Sequence, residues 1–375
     1  MTDSSSDTRS AGVSSTSKIS PSSATLESVR NYYGKVLQSS SDLQTSACCL
    51  AEKLPANVAA IIEQIHPEVR ARFYGCGLVT PPALEGCTVL DLGCGSGRDV
   101  FVLSKLVGER GRVIGVDMTD EQLAVAERHR EWQAKEFGFR KSNVEFRKGF
   151  IEDLESIGIA SNSVDLVVSN CVINLSPAKD RVFAEIMRVL KPGGEMYLSD
   201  VFADRRLPRS YMEDPVLLGE CLGGAMYKED FRRLMTKLGC QDVRCVSTSE
   251  LAITSPDIQT KVGLARFFSM TVRAFKIDLE DKCEDYGQVA WYLGTIPGAP
   301  NAFRLDDHHL FETGRPMTVC SNTAAMIGDT RYRAHFRVDG NLETHHGLFP
   351  CGPSPVSTSA GMAGAAACSP AGGCC

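Results

Sequence analysis

A glycine-rich loop between an apolar strand and a helix constrains this chain more than any other feature. Residues 91–97 read Asp-Leu-Gly-Cys-Gly-Ser-Gly, an apolar run precedes them, and a helical pattern follows over 98–106. Glycines permit a tight turn and let a ligand approach the backbone where a Cβ atom would clash. A second apolar run over 112–116 ends at Asp117, 20 residues beyond the loop. A nucleoside-binding βαβ unit places the acid that holds a ribose at this distance.

The loop differs from the dinucleotide-binding pattern. That pattern is G-x-G-x-x-G, whereas this loop is D-x-G-x-G-x-G with Asp91 at the strand end. A carboxylate there would repel a pyrophosphate and accept a hydrogen bond from an amine. The loop therefore resembles the first motif of class I S-adenosylmethionine-dependent methyltransferases, whose cofactor has an aminocarboxylate tail and no phosphate. An ordinary tight turn without a ligand is the alternative.

Composition and charge exclude several classes of protein. The chain has 375 residues with a net charge of −6 and no basic stripe, so we expect no nucleic-acid partner. No run of about 18 apolar residues occurs, so we expect no membrane span. The first residues lack an apolar leader, which favours a cytoplasmic protein with reduced thiols. None of the 15 cysteines forms a C-x-x-C pair, which argues against zinc ribbons, iron–sulfur clusters and thioredoxin-type motifs.

Strand and helix patterns alternate from residue 86 to about 205, which is typical of a parallel sheet covered by helices on both faces. Residues 55–70 also have a helical pattern, a further helix is predicted near 228–238, and later strand-like runs lie at 288–293 and 333–338. In the alternating part, the predicted strands are 88–92, 112–116, 143–146, 164–169 and 194–200, and the predicted helices are 98–107, 120–137 and 178–190.

Three cysteines have unusual local settings. Cys76 lies between two glycines, Cys171 follows the fourth predicted strand, and Cys221 lies in a Gly-Glu-Cys-Leu-Gly-Gly segment. Ligands of open α/β sheets bind beyond the carboxyl ends of the strands, so Cys171 should lie beside the glycine loop. The alternative for each is a small buried apolar residue. That alternative is our interpretation of Cys87 and Cys94, and it is also favoured for Cys240 and Cys245.

Four segments of the chain resemble the arsenite methyltransferases. They are 42–45, 74–78, 169–175 and 219–225, and the likeness covers residues 30 to about 275. The resemblance implies that Cys76, Cys171 and Cys221 bind trivalent arsenic. It also implies a fourth cysteine, Cys48 or its neighbour Cys49, of which the spacing from Gln44 and Thr45 favours Cys48.

The same comparison implies an α/β class I methyltransferase (Rossmann-like) fold with a doubly wound, mostly parallel sheet, followed by a smaller α+β C-terminal region. We expect a disordered Ser-rich tail and a methyltransferase domain that includes an N-terminal helical arm. An arsenic-binding region, an α+β region and a flexible tail that ends in cysteines should follow. The expected boundaries are 1–24, 25–205, 206–280, 281–350 and 351–375.

Position along the motifs predicts the cofactor site. Asp91 and Gly93 should contact the aminocarboxylate end of S-adenosylmethionine, and Asp117 the ribose. Met118 and Ile151 should lie near the adenine, although both could instead belong to the core. The full predicted set is Tyr74, Gly75, Asp91, Gly93, Gly95, Ser96, Gly97, Asp117, Met118, Gln122, Ile151, Glu152, Asn170 and Val172.

Soft trivalent arsenic suits thiolate ligands, and its lone pair could attack the methyl carbon of a sulfonium without a general base. The products would be methylated arsenicals. Transfer oxidises arsenic, and the resemblance implies that protein thiols, with Cys48 and Cys76 as the expected pair, return electrons and are reduced by thioredoxin or glutathione. Two alternatives remain: a methyltransferase for another small molecule, such as a sterol or quinone, and a non-catalytic binder of soft metals.

Overall fold

A computed structural model describes residues 54–73, 75 and 79–350. Its centre is an eight-stranded sheet in which seven strands follow the order β3-β2-β1-β4-β5-β8-β7, and β6 pairs with β5. These strands are β1 (Thr88–Leu92), β2 (Arg112–Asp117), β3 (Val144–Lys148), β4 (Val164–Asn170), β5 (Leu190–Ala203), β6 (Met226–Tyr227), β7 (Val243–Glu250) and β8 (Phe267–Phe275).

The first five strands are parallel, and β8 pairs with β5 and with β7 in antiparallel register. Strands β1 to β4 begin and end within two residues of their predicted bounds. β5 begins at Leu190, four residues earlier than predicted, because the backbone passes directly from the preceding helix into extended conformation at that residue. The prediction of a mostly parallel α/β sheet is confirmed.

Helices cover both faces of the sheet. Val100 and Leu103 of one helix and Phe183 and Ile186 of another are fully or nearly fully buried and belong to separate apolar cores, one on each side. The helices are α1 (Ala56–Glu63), α2 (Pro67–Ala71), α3 (Arg98–Val107), α4 (Asp120–Glu136), α5 (Lys179–Val189), α6 (Pro215–Gly219), α7 (Lys228–Lys237), α8 (Pro256–Val262) and α9 (Ser321–Gly328).

The helical pattern predicted over 55–70 forms two helices, and the prediction of one continuous helix is wrong. Pro67 has no N–H group to donate and restricts the preceding residue to extended conformations. His66 accordingly has a ψ of 132° and caps α2 by accepting a hydrogen bond from the Glu68 N–H. The apolar side chains of this segment still pack together despite the break, since Val58, Ile61, Ile65 and Val69 are buried in one core.

The C-terminal region adds small antiparallel sheets around a separate apolar core. Phe303, Phe311, Tyr332 and Phe336 pack on one another at the centre of this core. Its strands are β9 (Val289–Tyr292), β10 (Ala302–Arg304), β11 (Leu310–Glu312), β12 (Pro316–Thr318) and β13 (Phe336–Asp339). A smaller α+β region was predicted here, and its presence is confirmed.

Three strands of the central sheet, β6, β7 and β8, were not predicted. The last two bring residues 243–275 into the same sheet as the glycine loop, so the predicted boundary at residue 205 lies between strands of one sheet. No helix within the described part of the chain is both long and apolar enough to cross a bilayer. The predictions for residues 1–53 and 351–375 lie outside the described residues.

Candidate active site

A pocket of about 980 Å³, counted with the solvent at its mouth, lies at the carboxyl ends of β1, β2 and β4. This is the edge at which open α/β sheets bind ligands. Most of the predicted cofactor residues line it, together with Cys171. The predicted residues in its wall are Asp91, Gly93, Gly95, Ser96, Asp117, Met118, Gln122, Ile151, Glu152, Asn170 and Val172.

The glycine loop forms the floor of the pocket through left-handed backbone. Gly93 has a φ of +72°, and a Cβ atom there would lie 2.4 Å from the side chain of Val172. Gly95 has a φ of +53°, and a Cβ atom there would meet no atom within 4 Å. The first glycine is therefore required by packing against the wall, whereas the second leaves open space into which a ligand can come close to the backbone.

Asp117 ends β2 and ties the loop to the next helix. Its carboxylate accepts hydrogen bonds from the Gly95 N–H at 2.9 Å and from the Thr119 N–H at 2.8 Å. Burial raises the pKa of Asp117 despite these bonds. Each carboxylate oxygen can accept a further bond, so Asp117 can still receive the hydroxyl groups of a ribose.

The pocket has an excess of negative charge. Four acids line it, Asp91, Asp99, Asp117 and Glu152, against two arginines, Arg72 and Arg98, of which Arg98 pairs with Asp99 at 2.6 Å. Burial, followed by the charge of Asp99, raises the pKa of Asp91 well above its usual range. A cationic ligand would offset this cost. The donor set therefore fits S-adenosylmethionine, which has a sulfonium and an ammonium group.

Cys171 lies directly after β4 in the wall of this pocket. Its φ is +56°, a left-handed conformation that is uncommon for residues other than glycine. Its N–H donates to the Ser199 carbonyl at 2.8 Å, which fixes this backbone against the end of β5. Cys171 is disulfide-bonded in the structure.

Cys221 approaches Cys171 from a separate segment. Its Sγ donates to the Cys171 carbonyl at 3.3 Å, and its own φ is +60°. Asn174 donates to the Cys221 carbonyl at 3.4 Å, and the following segment packs so closely that a Cβ atom on Gly224 would lie 1.8 Å from the Asn174 carbonyl oxygen. The structure therefore brings two of the predicted arsenic ligands together beside the pocket.

Buried ionisable groups surround this pair of cysteines. Burial raises the pKa of Asp200 to about 6, although the N–H groups of Val201 and Asn174 donate to its carboxylate. Burial also lowers the pKa of Lys179 to about 8, and the charges of Asp200, Glu152 and Cys221 oppose this decrease. The ammonium of Lys179 thus interacts with several acidic groups, and sequence patterns gave no indication of it.

The structure separates some predicted residues from the pocket. Gly75 and Gly97 are described but do not line it; Gly97 instead begins α3 with a φ of +89°. Tyr74, Cys76 and Cys48 lie outside the described residues. The prediction omitted Phe150, which lines the pocket and is 48% exposed. Its large apolar side chain directly before Ile151 was the signal available in the sequence.

Comparison with known proteins agrees with this geometry. Residues 83–239 match a methyltransferase domain family, and residues 285–375 match the arsenite methyltransferase C-terminal domain family. An arsenite methyltransferase of Aquipseudomonas alcaligenes is 56% identical over 91% of this chain and 99% of its own length. A human arsenite methyltransferase is 42% identical over 83% of this chain and 82% of its own length.

A solved structure extends the likeness to the fold. The crystal structure of an arsenic(III) S-adenosylmethionine methyltransferase from Chlamydomonas reinhardtii superimposes with a TM-score of 0.77 at 51% identity, and the match covers 79% of this chain and 100% of that one. Together with the glycine loop, the acidic pocket and the paired cysteines, these matches show that the chain belongs to the arsenite methyltransferase family.

Proposed function

We propose that this protein transfers a methyl group from S-adenosylmethionine to trivalent arsenic held by the thiolates of Cys76, Cys171 and Cys221. The observation that carries the proposal is the meeting of Cys171 and Cys221, both in left-handed backbone, beside a pocket suited to a cationic cofactor. Left-handed backbone at a residue other than glycine costs about 1–3 kcal/mol and occurs mainly at functional sites. The contact between two such residues supports the proposal of a ligand-binding site.

The residues of the chain mainly position the reactants. Asp91 would receive the ammonium group and Asp117 the ribose hydroxyls, while Gly95 leaves room for close approach. The bound cofactor supplies a methyl group that is already activated by its positive sulfur. Cys171 lines the pocket and contacts Cys221, so arsenic held there would lie beside that methyl group. Such positioning can supply several kcal/mol of a reaction barrier, on the order of 7–11 in the best cases.

The protein thiols return the two electrons that arsenic loses in the reaction. The arsenic lone pair forms the new bond to carbon, the electron pair of the carbon–sulfur bond leaves with sulfur, and arsenic is oxidised by two electrons. Two protein thiolates can return these electrons by closing a disulfide, for which Cys48 and Cys76 are the proposed pair. Thioredoxin or glutathione would then reduce the disulfide. The disulfide at Cys171 likewise has to open before arsenic can bind.

A reducing compartment, the cytoplasm, suits this cycle. Within the described part of the chain, Cys87, Cys94, Cys240, Cys245 and Cys320 have free thiols, and all of these except Cys245 are buried. Cell fractionation with detection of the protein tests this location, and enrichment in an oxidising compartment would contradict it.

A single assay tests the proposed function. The protein is incubated with labelled S-adenosylmethionine, arsenite and a thiol reductant, and the arsenic species are separated. We expect methylated arsenicals from the wild-type protein and from Cys245→Ser, since Cys245 lies in β7 away from the pocket. Cys221→Ser should yield none, because a hydroxyl is a poor ligand for soft arsenic. Unchanged arsenite with the folded wild-type protein would overturn the proposal.

A further inference from the structure

Two further cysteines meet outside the site described above. The thiols of Cys283 and Cys320 share a hydrogen bond, and both residues are buried, with 5% and 0% of their surfaces exposed. Of the two, Cys320 contacts Arg244 of β7, a strand at the edge of the sheet that is separated from β4 by β5 and β8. Three strand spacings of about 4.8 Å place them on the order of 14 Å or more from the carboxyl end of β4. They therefore cannot share an arsenic ion with Cys171.

The sulfur of Cys320 is surrounded by hydrogen-bond donors. The Thr323 N–H lies 3.4 Å from it and the Thr323 hydroxyl 3.3 Å. That hydroxyl accepts a bond from Arg244 at 3.1 Å, and the two groups that can receive its own proton are the sulfur and the His309 ring at 3.5 Å. A second contact from the same guanidinium nitrogen of Arg244 reaches the sulfur at 4.0 Å. Such a set of donors stabilises a thiolate.

Four other cysteines of the chain have the opposite surroundings. Cys87, Cys94, Cys240 and Cys245 each donate to a backbone carbonyl oxygen, at distances between 3.4 and 3.9 Å. Burial raises the pKa of each of these thiols. By contrast, the hydrogen bond from Cys283, with Thr323 and Arg244, lowers the pKa of Cys320 to about 5. Cys320 thus differs from the ordinary buried thiols of the same chain.

The charges around Cys320 are fixed by an ion-pair network. Arg244 is fully buried and makes two bonds to Asp242 and one to Asp306, at 2.7–2.9 Å. The His309 ring contacts Asp306 at 2.8 Å. The guanidinium is therefore held in place and cannot turn away from the sulfur.

Hydrogen bonds between two segments of the chain hold the backbone around the cysteine pair in place. Ser321, directly after Cys320, donates its N–H to the carbonyl of Glu284, directly after Cys283, at 3.0 Å. The Asn322 side chain also bridges both backbone groups of Glu280 at 2.9 Å. The two sulfurs are therefore kept in contact by bonds on either side, which favours closure of a disulfide over separate reactions.

We propose that Cys283 and Cys320 form an oxidisable dithiol, in which the Cys320 thiolate reacts with a hydroperoxide and Cys283 resolves the product to a disulfide. The Cys320 sulfur attacks one peroxide oxygen, the O–O bond breaks, and a sulfenic acid and hydroxide form. The Cys283 sulfur then attacks the Cys320 sulfur and displaces its oxygen as water once the thiol proton is transferred. Overall, a thiolate, a thiol and hydrogen peroxide give a disulfide, water and hydroxide.

The resulting bond would link the segment that follows β8 to the start of α9. It would covalently fix the C-terminal region without using the thiols proposed for arsenic. The proposal does not depend on the methyl-transfer proposal, since it rests on different residues.

The test uses the full-length, arsenic-free protein after complete reduction and removal of the reductant. One equivalent of hydrogen peroxide is added, remaining thiols are blocked with N-ethylmaleimide, and the peptides are mapped by mass spectrometry without reduction. We expect a linked peptide pair containing Cys283 and Cys320, formed at rates that differ by less than about twofold between pH 6 and 8, because an acidic thiol is already ionised over this range. Cys245→Ser should behave like the wild type.

Two variants extend the test. In Cys283→Ser, Cys320 should accumulate as a sulfenic acid that dimedone traps. Thr323→Val removes a donor and should slow oxidation at pH 6 several-fold more than at pH 8. Wild-type protein whose Cys283 and Cys320 are both found blocked with N-ethylmaleimide after peroxide treatment would overturn the proposal, and so would a rate that rises tenfold per pH unit across this range.

Discussion

At the scale of single residues, the site contains groups whose backbone conformation or burial destabilises the folded protein. Cys171 and Cys221 have left-handed backbones, and desolvation raises the pKa values of Asp91, Asp117 and Asp200. Each feature lowers the stability of the empty protein. Ligands that carry positive charge or bind thiolates would recover part of this free energy, which links the local strain to binding.

The role proposed for Asp117 can be measured directly. Asp117→Ala should weaken S-adenosylmethionine binding by about 1.5–3 kcal/mol, the range for hydrogen bonds to a charged group. Isothermal titration calorimetry gives this value, and Asp120→Ala is the matched control because Asp120 pairs with Lys148 at the surface. Equal affinity of Asp117→Ala and the wild type would place the ribose elsewhere.

Asp200 should make stability depend on pH. Its pKa is raised from 3.8 to about 6 in the folded protein, so the folded state favours the protonated acid. The resulting stabilisation is present below about pH 4 and is lost as pH rises through 6. Relative to Asp200→Asn, the wild type should lose about 3 kcal/mol of unfolding free energy between pH 4 and 8. Urea unfolding of both proteins across this range tests the sign, and a constant difference would contradict it.

At the scale of secondary-structure elements, the close contact between the glycine loop and the end of β4 shapes the pocket. Gly93 faces Val172 so closely that no side chain fits between them. On the other side of the loop, α2 is attached to α4 through Glu68 and His129, whose side chains lie 2.7 Å apart. This places the chain that leaves α2 beside the pocket, where Arg72 and Phe73 form part of the wall.

Gly93→Ala should therefore lower the free energy of unfolding more than the same substitution at another glycine with left-handed backbone. Gly86 has a similar φ of +76° but no atom within 4 Å of an added Cβ, so Gly86→Ala should cost about 1–2 kcal/mol for its backbone alone. Gly93→Ala should cost a further 1–3 kcal/mol, roughly, from overpacking against Val172. Adding Val172→Ala should recover part of that difference in thermal or urea unfolding. Identical losses for the two glycines would refute the packing argument.

The sequence predicts those secondary-structure elements whose patterns lie within a few neighbouring residues. β1, β2 and β4 contain short apolar runs, β3 alternates apolar and charged residues, and the acid–glycine pattern pointed to positions that the structure places in one pocket. β7 and β8 escaped prediction because buried Arg244 and Arg273 interrupt their apolar patterns, and two of the acids that pair with these arginines, Asp306 and Glu195, are distant in sequence. The contact between Cys171 and Cys221 joins residues 50 positions apart through left-handed turns, which spacing alone cannot reveal.

At the scale of the whole molecule, one buried ionic cluster attaches the C-terminal region to the central sheet. Glu195 of β5 is fully buried and bonds Arg273 of β8, while Arg331 and Tyr332 reach the same carboxylate from the C-terminal region. Arg331 also donates to the Ala83 carbonyl at 3.1 Å, before β1. Three parts of the chain that are far apart in sequence thus meet at one carboxylate.

Glu195→Gln should accordingly destabilise the whole protein. It leaves two guanidinium groups without their buried counter-charge, a change that typically costs about 3–5 kcal/mol. Glu250→Gln is the control, since its pair with Arg266 is exposed to solvent and its loss should leave stability nearly unchanged. Urea unfolding monitored by circular dichroism compares the two. Similar midpoints for both variants would show that the cluster does not hold the regions together.

We propose that arsenic is held by three thiolates at the edge of the cofactor pocket. X-ray absorption spectroscopy of the reduced full-length protein with one equivalent of arsenite counts the atoms bound to arsenic. We expect three sulfur neighbours in the wild type and in Cys245→Ser, and two in Cys221→Ser. Arsenic surrounded by oxygen in the wild type, or by the same number of sulfurs after Cys221→Ser, would contradict it.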